Sequence, residues 1–72
     1  MMKNSEKFRE FVNENVGTEL TTGLISRRSG IHIRIVQSLC KKVRETTSKV
    51  KYKTEPTGSI VYKFKRLTKQ DI

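Results

Sequence analysis

The apolar residues of this chain change period once, near Thr47, and that change limits the folds open to it. Before it they recur at the spacing of helices, and after it they alternate as strands do. In "NSEKFREFVNENVG", Phe8, Phe11, Val12 and Val16 fall on one side, with Glu6, Arg9, Glu10 and Asn13 on the other. This predicts helix 1 over about 5–16, with Asn4 or Ser5 as N-cap and Gly17 as the residue that ends it. "TEL" reads as a link in which Leu20 is buried. Helix 2 is expected over about 22–29, capped by Thr21 or Thr22, with Leu24 and Ile25 inward and Ser29-Gly30 as the turn.

Helix 3 is expected over about 32–45. Stepped at about 100° per residue, Ile33, Val36, Leu39, Cys40 and Val43 occupy a stripe about 120° wide, the width of a core-facing side. Arg34, Gln37, Ser38 and Lys41 lie opposite it. Ile35 falls outside the stripe, either against helix 2 or the hairpin, or free for an apolar contact elsewhere.

Beyond "TTSK", "VKYKT" sets Val50, Tyr52 and Thr54 against Lys51 and Lys53, and "IVYKFKRL" sets Ile60, Tyr62 and Phe64 against Val61, Lys63 and Lys65. "EPTGS" between them carries Pro56 and Gly58 where a turn uses them. A β-hairpin follows, with strands over about 49–54 and 60–67. Keeping both apolar sets on one face pairs Tyr52 with Tyr62 and Val50 with Phe64. Lys51, Lys53, Lys63 and Lys65 then share the other face, and "TKQDI" remains as a short tail. The fold class is α+β: three helices, then a two-stranded hairpin, in one domain over residues 1–72.

Charge narrows the function. Lys and Arg number 16 against 7 acids, a net of +9. Residues 1–22 hold three basic and four acidic side chains, a net of −1, so residues 23–72 carry +10. An excess so concentrated points to a polyanion: nucleic acid before an anionic membrane, since the core needs the apolar side of helix 3. The single cysteine, Cys40, makes no internal disulfide, and it lies in the apolar stripe as a small hydrophobe. His32 has no Cys or His at ligand spacing, so no metal site is expected. Neither paired carboxylates, a nucleophile arrangement nor a glycine-rich phosphate loop points to an enzyme or a cofactor. No apolar run nears the roughly 20 residues that span a bilayer, and the charged start is unlike a signal peptide. A cytoplasmic protein is expected, nucleoid-associated if bacterial or phage.

The order of these elements, with "TTGLISRRSGIHIRIVQSLCKKV" at their centre, resembles the winged helix-turn-helix family over about residues 5–67. Thr21, Ile25, Gly30, Ile31, Val36, Cys40 and Val43 match its loose pattern, and Ser26 stands where the family favours Ala. The resemblance implies that helix 3 enters a DNA major groove while the hairpin, or wing, lies along the adjacent backbone or minor groove. Arg34 or Gln37 would then make bidentate base contacts, with Ser38 and Lys41 beside them and Ile35 against a thymine methyl. Arg27 and Arg28, next to the turn, would touch phosphate. His32 would hydrogen-bond a phosphate or base edge, and Lys51, Lys53, Lys63 and Lys65 would bind phosphate. The basic flank of helix 3 and the lysine face of the wing are expected to form one continuous cationic surface. The implied role is a small transcription regulator or mobile-element accessory factor, a monomer or a dimer formed on double-stranded DNA. Other readings are docking on an acidic protein partner of the nucleic-acid machinery, and RNA binding by the same fold.

Overall fold

A computed structural model describes residues 3–72. Helix α1 spans Asn4–Glu14, strand β1 Glu19–Thr21, helix α2 Thr22–Ser29 and helix α3 Ile33–Thr46. Strands β2 (Val50–Thr54) and β3 (Ile60–Phe64) follow. The described residues are α+β, with three helices and a three-stranded antiparallel sheet in the order β1-β3-β2.

Strand β1 corrects the reading of "TEL" as a link. Leu20 lies opposite Tyr62 and is buried, so this segment completes the sheet on the far side of β3 from β2. Three residues with one inward side chain are too short for alternation to show. The hairpin register is the expected one, with Val50 opposite Phe64 and Tyr52 opposite Tyr62. Its turn closes through Gly58 N–H donating to the Glu55 carbonyl at 2.9 Å, with Pro56 next to Glu55 and Gly58 at φ 92°. That left-handed backbone suits glycine.

One core draws on every helix and on β1 and β3. Phe8 and Val12 from α1, Ile25 from α2, and Val36, Cys40 and Val43 from α3 are fully buried. Phe64 meets Phe8 edge to face at 5.8 Å. Ile31, in the turn between α2 and α3, is buried as well.

Four expectations about the edges of this core are corrected. Helix α1 ends at Glu14, so Val16 falls outside it and is 48% exposed. Its N-cap is Lys3, without a side-chain cap, rather than Asn4 or Ser5. Tyr52, expected inside, is 53% exposed because β2 is an edge strand; the Arg44 guanidinium covers its ring at 4.9 Å. Strand β3 stops at Phe64, yet Leu67 beyond it is buried and held by Asn13. The Asn13 amide donates to the Leu67 carbonyl at 3.0 Å and accepts from its N–H at 2.8 Å. The tail is also anchored: Asp71 accepts from Lys49 Nζ at 2.7 Å, and Ile72 packs on the core.

Candidate nucleic-acid interface

The turn before α3 is built by small side chains. Thr21 Oγ1, one of the two threonines the sequence offers as cap, accepts from Leu24 N–H at 3.1 Å and so caps α2. Gly30 ends α2 at φ 78°, donating its N–H to the Ser26 carbonyl. The Ser26 hydroxyl donates across the turn to the Ile31 carbonyl, and Ser29 Oγ accepts from Ile31 N–H at 3.3 Å. A serine at position 26 therefore does more than leave room: it ties the start of the α3 segment to α2. His32 is the N-cap of α3, its Nδ1 accepting from Arg34 N–H at 3.2 Å. An accepting Nδ1 leaves Nε2 as the donor on an exposed ring.

With Val36, Cys40 and Val43 buried, the opposite flank of α3 is open. Arg34, Gln37, Ser38 and Lys41 are all exposed, and so are Arg27 and Arg28 at the end of α2. The acid on this flank is Glu45, about three turns from Arg34 at the far end of the helix. Burial pushes the Cys40 thiol up to about 12, so it has no thiolate character. Among the described residues no three His, Cys, Asp or Glu side chains gather as a metal site.

A groove of about 550 Å³ runs beside this flank. It is lined by Gln37, Lys41 and Arg44 of α3, by Thr22 and Gly23 at the start of α2, and by Gly58, Ser59 and Ile60 of the hairpin. Gln37, Lys41 and Arg44 stand at i, i+4 and i+7, a single row on a helix, and that spacing would have singled out Arg44. The groove thus joins the polar flank of α3 to the distal hairpin, on the side of the sheet where Tyr62 faces.

The wing lysines are elsewhere. Side chains alternate across a strand, and Tyr62 and Phe64 point into the core, so Lys51 and Lys63 point to the other side of the ribbon. The expected single cationic surface is therefore corrected to two, one on each side of the hairpin. Nor is the lysine face free of acid: β1 brings Glu19 opposite Lys63, and its carboxylate meets Lys53 Nζ at 3.2 Å. This hydrogen bond and the charge behind it raise the Lys53 ammonium above its ordinary value. Lys53 is thus already partnered, whereas Lys51, Lys63 and Lys65 surround a smaller concavity with Lys49 and Val16.

Among the described residues no helix is long and apolar enough to cross a membrane. Comparison with family models, with curated proteins and with solved structures finds no match to this chain.

Proposed function

We propose that this chain is a winged helix-turn-helix domain that binds double-stranded DNA, with α3 in the major groove and the hairpin beside the backbone. The observation that carries the proposal is the exposed row Arg34, Gln37, Ser38 and Lys41 on a helix whose opposite side is the core. A major groove about 12 Å wide admits such a helix, and a polar, basic flank is what its floor and walls accept. Arg34 and Gln37 carry the bidentate groups suited to guanine and adenine edges. Arg27 and Arg28, the His32 Nε2–H, Lys41 and Arg44 supply phosphate contacts around them. Ile35, 36% exposed, is available to a thymine methyl. Lys51, Lys63 and Lys65 do not line the groove and add only to the overall positive field that steers a polyanion toward the molecule. The role that follows is that of a small transcription regulator or accessory factor acting on DNA.

Affinity on this reading is largely counterion release. With about five phosphates neutralised, log K falls against log salt with a slope of about −4 to −5. Titration of a duplex of about 20 base pairs at several salt concentrations measures it, with duplex RNA as control. Arg34→Ala should relax preference at one base position, whereas Lys41→Ala should weaken all sequences alike. A flat salt response, or equal affinity for duplex RNA, whose deep narrow groove excludes a helix, overturns the proposal.

A further inference from the structure

Lys51 and Lys63 are directly opposed across β2 and β3. Lys65 N–H donates to the Lys49 carbonyl at 2.7 Å, which makes Lys49 and Lys65 the next opposed pair on the same face. Two successive like-charge pairs, with side chains within reach of one another, destabilise a sheet. Asp71 offsets Lys49 at 2.7 Å, and Glu19 is taken by Lys53. Among the described residues, Lys51, Lys63 and Lys65 make no ion pair, Glu19 opposite Lys63 being bonded to Lys53 instead. Such a local conflict has physical sense where a ligand resolves it.

The shape of the site says which anion. The four lysines ring a concavity of about 220 Å³ whose wall includes Val16, 48% exposed, and the backbone of Gly17. Lysine stems are themselves apolar, so the hollow is greasy within and cationic at its rim. A phosphodiester backbone would meet the rim and leave the hollow unused. A peptide fills both.

We propose that this face of the sheet, on the opposite side of the ribbon from the α3 groove, docks an acidic segment of a partner protein. One large apolar side chain of that segment seats against Val16, and the flanking carboxylates pair with Lys51, Lys63 and Lys65. The site does not depend on α3 binding DNA, so it stands or falls separately.

The test uses the full chain and two labelled peptides in about 0.15 M salt, read by fluorescence anisotropy. One peptide has the central run Asp-Glu-Leu-Phe-Glu-Asp, and the other has Ser in place of Leu and Phe. The first should bind about tenfold more tightly, the order expected for one buried apolar side chain. Lys51→Glu with Lys63→Glu should weaken it about tenfold or more. Val16→Ser, on an exposed residue outside every helix and strand, should erase most of the difference between the two peptides. Arg34→Ala and Lys41→Ala should leave peptide binding unchanged. Equal binding of both peptides, insensitivity to the lysine or Val16 changes, or loss on changing Arg34 or Lys41 overturns the proposal. So does a result in which the lysine changes abolish duplex binding and leave the peptide bound, which would give this face to DNA.

Discussion

Gly23 and Gly30 lie near the two ends of α2 and should answer the same substitution in opposite directions. A Cβ at Gly23 meets nothing within 4 Å and the backbone there is helical, so Gly23→Ala should stabilise the fold by roughly 0.5 kcal/mol through the unfolded chain. Gly30 also has open space, but its φ of 78° is left-handed, and Gly30→Ala should cost about 1 kcal/mol. Urea denaturation of both variants measures the pair, and equal signs would contradict the backbone argument. Single residues also show where reading from the chain stopped. A threonine cap at position 21 or 22 and Gly30 as terminator were legible because each has a local chemical reason. The exposure of Tyr52 was not, since alternation names the face a strand residue points to and is silent on whether a helix reaches far enough to cover it.

At the scale of elements, the helices and the hairpin register followed from period alone, and the sheet did not. Strand β1 and the buried Leu67 depend on long-range pairing, with Tyr62 in one case and the Asn13 amide in the other. Asn13→Ala would leave the Leu67 N–H and carbonyl without their partner and should cost about 2 kcal/mol in chemical denaturation. The segment after β3 is held a second time by Asp71. Its hydrogen bond from Lys49, reinforced by the Thr68 N–H and hydroxyl and by the Lys49 charge, holds the carboxyl below its usual value. A group whose pKa is lower folded than unfolded contributes stability above the unfolded value, near 4, and loses it as pH falls through the folded one. Acid should therefore loosen the C-terminal residues first, and Asp71→Asn should remove that part of the pH dependence. Amide hydrogen exchange of Thr68 and Asp71 between neutral and acidic pH follows it.

At the scale of the whole molecule, one core serves all three helices, β1 and β3, which predicts one cooperative transition. Urea curves from far-ultraviolet circular dichroism and from tyrosine fluorescence should coincide, and an early fluorescence change would mean that the hairpin melts alone. The candidate interface was legible as a list of basic residues and not as a surface. Helical spacing located the flank of α3, but the placing of Lys51 and Lys63 behind the ribbon came from how the sheet packs. Glu19, close to the lysines only in space, gave no sign in a chain where it stands far from them. Thr21 has a mechanical consequence. It is at once the last residue of β1, hydrogen-bonded into the sheet, and the cap from which α2 starts. No slack separates ribbon from helix, so a push on the hairpin reaches α2 as a torque at its first turn. The serine-pinned turn passes that rotation on to α3, so the hairpin and α3 should tilt only together.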